Sequence, residues 1–239
     1  MKFNQMVVQV AAVAVMALSV PTTAQAQLWY NGDLDRVDGL FSGSTAGPSG
    51  YTYDNFVVTG SGWTINSIFG NFLSNESWSS ANYEIRTGIS VGNGGTIVTS
   101  GTGVAATQTA TGNTAFGLTE YLTTISGLSI FLNPGTYWLG IAPISTGSGG
   151  IYVATTSGAN GSNANLDDVS YFNSAYYGNN FVNASTQIGQ PVDFSYGVDG
   201  AGGGTSTEND VVPEPATMTL LATGLAGIAA ARRRKAAQA

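Results

Sequence analysis

Through the middle of the chain, apolar and polar residues alternate with a period of two. In the run from Tyr83 to Val91, Tyr83, Ile85, Ile89 and Val91 share one apolar face, while Glu84 and Arg86 share the other. That alternation predicts a half-buried strand. The same pattern appears at Trp63, Ile65 and Phe69, at Tyr137, Leu139 and Ile141, and at Phe194, Tyr196 and Val198. Further strands are predicted over 56–59, 96–99, 103–109, 116–123, 128–132 and 151–156. Turn residues separate them: Gly60-Ser61-Gly62, Gly92 to Gly95, Gly112-Asn113, Asn133-Pro134-Gly135 and Gly147 to Gly150. Asn133-Pro134-Gly135 predicts a tight turn directly before a central strand at Thr136 to Ile141. The stretch 158–180 lacks clean alternation and reads as long loops with one or two short strands. With about ten short strands and no helical period, the predicted fold is all-β, an antiparallel sandwich of jelly-roll or Ig-like kind.

The two ends of the 239-residue chain have a different texture. Lys2 precedes an apolar run from Met6 to Val20, Pro21 stops any helix, and Ala24-Gln25-Ala26 presents small residues at both positions a signal peptidase reads. Residues 1–26 are therefore expected to be a signal peptide, cut after Ala26. Residues 27–199 form the predicted sandwich, and 200–210, rich in Gly, Ser and Thr, a flexible linker. Residues 211–235 follow as a third kind of segment. Pro213 and Pro215 hold Val212-Pro213-Glu214-Pro215 extended. The apolar run 216–231 gives a helix of ~24 Å at 1.5 Å per residue, short for a comfortable membrane span. Arg232, Arg233, Arg234 and Lys235 then belong on the cytoplasmic side. A domain outside and a short stub inside is the expected topology.

Charge narrows the function. Between residues 27 and 210 two cations, Arg36 and Arg86, stand against 13 carboxylates, a formal charge of −11. Such a domain repels phosphate backbones, so nucleic acid is excluded as a partner. Cysteine and histidine are both absent. No disulfide can form, and Ser-His or Cys-His nucleophile pairs and ordinary zinc sites are excluded. The same stretch holds 31 glycines, yet its spaced aromatic and β-branched residues argue against disorder.

Three kinds of candidate chemistry remain. Asp33, Asp35 and Asp38, with Gly32 and Gly39, offer oxygen ligands at a spacing that suits calcium. The stretch departs from the helix-loop-helix calcium loop, with Val37 at its fifth position, Asp38 where glycine belongs and Ser44 where glutamate closes the loop. The plainer reading is a solvated acidic loop. Asp54, Glu76, Glu84, Glu120, Asp167, Asp168 and Asp193 are the carboxylates from which a hydrolase pair would be drawn, and none sits in a recognisable motif. Trp78, Tyr171, Phe172, Tyr176, Tyr177 and Phe181 fall in polar sequence and suggest rings for stacking on neutral glycans; the alternative is that they pack in the core.

The C-terminal arrangement of Val212, Pro213, Glu214 and Pro215, the apolar run and the cluster 232–235 closely resembles the PEP-CTERM sorting signal of Gram-negative bacteria. The resemblance implies an exosortase as partner, transient residence in the inner membrane, cleavage near the motif, and delivery to the cell surface or outside it. Members of that family are often tied to exopolysaccharide and biofilm. The resemblance makes Pro213, Glu214 and Pro215 a substrate site with no catalysis of its own. The domain is also similar to secreted bacterial β-sandwich ectodomains through Asp54-Asn55-Phe56, Trp63-Thr64-Ile65 and Gly135-Thr136-Tyr137-Trp138. That likeness supports the fold and carries no activity. The chain is thus expected to be a non-enzymatic surface or matrix protein without a required cofactor, or a glycan-binding module delivered by the same route.

Overall fold

The computed structural model describes residues 26–202. Two antiparallel sheets face each other. The first has eight strands: β1 (Ala26–Tyr30), β2 (Leu34–Phe41), β5 (Trp63–Ser74), β8 (Thr107–Ala115), β9 (Leu118–Leu132), β11 (Tyr152–Thr156), β14 (Asp193–Phe194) and β15 (Tyr196–Gly202). The second has seven: β3 (Gly43–Ser44), β4 (Ser49–Val58), β6 (Ser80–Thr87), β7 (Thr96–Ala105), β10 (Gly135–Pro143), β12 (Tyr171–Ser174) and β13 (Asn179–Asn183). The chain switches sheet repeatedly, and the strand count exceeds the seven to nine of an Ig sandwich.

Inward-facing residues of both sheets make one core. Phe56 of β4 stacks on Trp29 of β1 at 5.0 Å and lies 6.1 Å from Trp63 of β5. Ile65, Ile68, Phe72, Ile85, Ile125, Leu139, Ile141 and Val153 fill the space between, all essentially without solvent contact. Burying each such side chain contributes about 1.5–3 kcal/mol, which lets the domain hold without disulfides. Tyr196 is buried here as well, and its hydroxyl donates across the sheets to Thr52 O at 3.0 Å.

β10 lies at the centre of the second sheet, paired with β4 on one side and β6 on the other, as its sequence predicts. The Asn133-Pro134 step directly before it carries the chain from β9 in one sheet to β10 in the other. Other expectations need correction. The strands predicted over 116–123 and 128–132 are one fifteen-residue strand, β9. Phe116 belongs to the turn before it; Phe116 and Gly117 both have positive φ, the signature of a two-residue hairpin. The strand predicted over 103–109 is broken at Ala106, where β7 of one sheet gives way to β8 of the other. Val91 is exposed and outside β6, while Ile89 is buried. β15 continues to Gly202, three residues into the stretch read as linker, because Gly200, Ala201 and Gly202 still pair with β5. One short helix, α1 (Ala184–Ile188), was not expected; Gly189 ends it in the left-handed conformation.

Candidate functional site

β4 brings the informative residues together because its two faces meet different surroundings. Thr52, Asp54, Phe56 and Val58 point between the sheets; Tyr51, Tyr53 and Asn55 point outward. Register places Trp138, Gly140 and the following Ala142 of β10 on that same outer face, beside Arg86, Glu84 and Asn82 of β6.

The inward carboxylate of Asp54 is fully buried. Its Oδ1 accepts the N–H of Asn55 at 2.8 Å, and its Oδ2 accepts the Asn31 amide at 3.2 Å and the backbone N–H of Phe194. The Asn31 amide is oriented by two donors to its oxygen, the Trp29 indole at 2.9 Å and the N–H of Asn165 at 2.8 Å. Burial pushes the Asp54 carboxyl well above the usual carboxylate range, the charge of Asp193 adds to this, and the two backbone N–H bonds oppose it. Burial likewise pushes Asp193 up to about 6, against the Asp168 N–H that donates to it at 3.1 Å. Asp167 joins the network through the amides of Asn55 and Asn165, each at 3.1 Å. Of the carboxylates considered for hydrolysis, the fold therefore gathers Asp54, Asp167, Asp168 and Asp193. Glu76 is engaged elsewhere by Ser145 and the Gly149 N–H, Glu84 by Arg86 and Tyr53, and Glu120 by Thr111 and Asn113.

On the outer face, Tyr51 stacks on Tyr53 at 5.5 Å, and Tyr53 on Phe181 at 5.6 Å. The Arg86 guanidinium lies over the rings of Tyr53 and Phe181, at 5.7 and 5.1 Å from their centroids. Its Nε donates to Glu84 Oε2 at 2.5 Å and its Nη1 to Gly94 O at 2.8 Å. The Tyr53 hydroxyl donates to the same Glu84 oxygen at 2.7 Å. Burial raises the Tyr51 and Tyr53 hydroxyls far above the ordinary tyrosine range, with the Glu84 charge adding to it. Beside this stack runs a groove of about 310 Å³, lined by Ser44, Gly50, Tyr51, Asn82, Asn173 and Ser174 among others, with no charged side chain.

The rings proposed for stacking divide. Trp78, Phe172 and Phe181 are buried and belong to the packing, Tyr171 is half-buried against Trp138, and Tyr176 and Tyr177 stand exposed on the turn between β12 and β13. Trp63 is buried and Tyr137 packs on the core, as expected. The structure does not bring Asp33, Asp35 and Asp38 together. Asp33 accepts from Tyr30 at 2.6 Å and Asn160 at 2.7 Å, Asp35 from Thr155 at 2.6 Å and the Val37 N–H, and Asp38 from the Gly39 N–H. Their stretch is largely strand β2 rather than a loop, drawn into register by pairing with β11. Among the described residues, no three acidic side chains form a metal-holding cluster. Ala26 is exposed and opens β1 opposite Gly200; Ala24 lies outside the described residues.

The tail also lies outside them, and there comparison decides. Residues 211–235 match the family model of the PEP-CTERM protein-sorting motif. The chain carries a PEP-CTERM sorting signal. Val212, Pro213, Glu214, Pro215 and the cations Arg232, Arg233, Arg234 and Lys235 all fall within the matched segment. The PEP-CTERM motif marks an exported protein, bound for the surface or the exterior, with an exosortase as its processing partner. No curated protein and no solved structure matches the chain. No helix among the described residues is long and apolar enough to cross a membrane.

Sequence reasoning missed the groove residues Tyr51, Asn82 and Asn173. The available signal was Tyr51-Thr52-Tyr53-Asp54-Asn55, where two tyrosines and an amide alternate on one face while a carboxylate sits on the other.

Proposed function

We propose that this is a non-enzymatic protein of the cell surface or extracellular matrix, a β-sandwich released or displayed after an exosortase cuts near Pro213-Glu214-Pro215, and that it serves exopolysaccharide and biofilm. The observation that carries this reading is the PEP-CTERM match over residues 211–235. The acidic, cysteine-free domain supports it, as do carboxylates held by internal donors. The Pro-Glu-Pro peptide is the substrate grip, the apolar run a transient anchor in the inner membrane, and signal peptidase acts at the other end, after Ala26.

Replacing Pro213, Glu214 and Pro215 together by alanine tests it. The variant should accumulate in the inner membrane as a precursor that retains its C-terminal segment. Arrival at the surface at normal size would refute the sorting reading. A second reading, a neutral-glycan-binding module delivered by the same route, is favoured by the uncharged groove beside Tyr51.

A further inference from the structure

We infer that the groove on the outer face of the seven-stranded sheet binds a neutral carbohydrate, with Tyr51 as the stacking platform and Asn82 and Asn173 as the hydrogen-bonding arms. This rests on the second reading above and gives it a site.

The groove is built rather than incidental. Asn173 of β12 is the register partner of Tyr51 of β4, and Asn82 of β6 is the partner of Ala142 of β10, so two amides flank one ring across four adjacent strands. Tyr51 is held from behind by Tyr53, which is itself pinned by Phe181, Arg86 and Glu84. Holding the ring this way removes most of the ordering cost of stacking a ligand on it. The Asn82 Oδ1 accepts the Gly103 N–H at 2.9 Å, which fixes the amide so that its Nδ2 is the end left to donate. Gly43, Gly50 and Ala142 also line the groove. A Cβ on Gly50 would lie 2.7 Å from the Cβ of Ser174, so β4 and the end of β12 approach this closely only because that side chain is missing.

Ligand class follows from the lining. An uncharged groove in a domain of formal charge −11 offers no counter-ion to a polyanion and repels it at a distance. A purely apolar ligand would leave the Asn82 and Asn173 amide donors without partners. A polyhydroxylated ring satisfies both constraints: its hydroxyls pair with the amides, and its C–H face covers the tyrosine. The volume of about 310 Å³ falls at the lower end of small-ligand sites.

The test is calorimetric titration of the purified exported protein with neutral oligosaccharides of glucose, xylose and mannose, and with oligogalacturonate as an acidic comparison. At least one neutral oligosaccharide should bind, and oligogalacturonate should bind more weakly. Tyr51→Ala and Asn173→Ala should each weaken binding by roughly tenfold. Tyr51→Phe, which keeps the stack, should cost only a few-fold. Phe131→Ala removes an exposed ring of the other sheet and should leave binding unchanged. Three results overturn the assignment: no neutral binding at millimolar sugar, binding that survives both groove variants, or preference for the acidic ligand. Because binding is measured on purified protein, its failure is independent of where the Pro-Glu-Pro variant ends up.

Discussion

The carboxylate of Asp54, on a strand of the seven-stranded sheet, accepts the backbone N–H of Phe194, on a strand of the eight-stranded sheet. The bond crosses the space between the sheets, as does the Tyr196 hydroxyl bond to Thr52 O. β14 is only two residues long, so the Phe194 N–H would be hard to satisfy through strand pairing alone. Asp54 supplies the acceptor, Asn31 and Asn55 complete its shell, and the two sheets are fixed in one relative position.

Asp54→Asn should therefore destabilise the fold although it is nearly isosteric and removes a buried charge. Three donors converge on the carboxylate, and the Asn31 amide cannot turn because Trp29 and Asn165 hold its oxygen. An asparagine must aim its own NH₂ at one of those donors. The cost should be about 1–3 kcal/mol in urea denaturation, the penalty for one buried donor without an acceptor. Unchanged stability would mean that the donors find other acceptors.

The domain should become more stable on mild acidification. Asp193 and Asp199 both have folded-state values above the ordinary 3.8, each chiefly through burial, with Asp193 at about 6. The folded state therefore binds more protons than the unfolded state between these values. Stability falls as pH rises through that window and is greatest on its acid side. Self-repulsion of the acidic domain changes in the same sense. Melting temperature should rise from about pH 7 to about pH 4, and Asp193→Asn should flatten part of that slope. A monotonic fall in melting temperature on acidification would contradict the assignment.

Arg86→Lys should cost about 1–2 kcal/mol despite keeping the charge. The guanidinium carbon lies over the rings of both Tyr53 and Phe181 while its nitrogens bond Glu84 and Gly94. An ammonium can take one of these roles at a time. Guanidinium-chloride denaturation would report the loss. Equal midpoints would show the arrangement to be decorative.

How far the sequence could be read follows from range. The strand faces of β4, β6, β10 and β15 were legible because period two is local. So was the sorting signal, whose proline triplet, apolar run and cations are contiguous. Asp33, Asp35 and Asp38 misled because spacing along the chain suggested convergence; their partners Thr155 and Asn160 lie more than a hundred residues away. Trp78 and Phe181 looked exposed because their immediate neighbours are polar, while the groups that bury them come from other strands. The groove was illegible for the same reason: it takes Tyr51, Asn82 and Asn173 from three strands whose adjacency only the sheet order establishes.

Gly140 is where packing and the candidate site meet, and it gives the last prediction. A Cβ there would lie 2.7 Å from two ring carbons of Tyr53. That ring has no room to retreat, since Tyr53 is fully buried, stacked on both sides and bonded to Glu84. Gly140→Ala should therefore cost about 1–3 kcal/mol by overpacking, against the usual gain from replacing glycine in a strand. Gly47→Ala, with nothing within 4 Å of the new carbon, should be close to neutral. The two faults can be separated by a double-mutant cycle. In a Tyr53→Leu background the ring is gone, and Gly140→Ala should lose most of its cost. Additive costs would place the strain in the β10 backbone instead, and would leave the Tyr51 platform independent of Gly140.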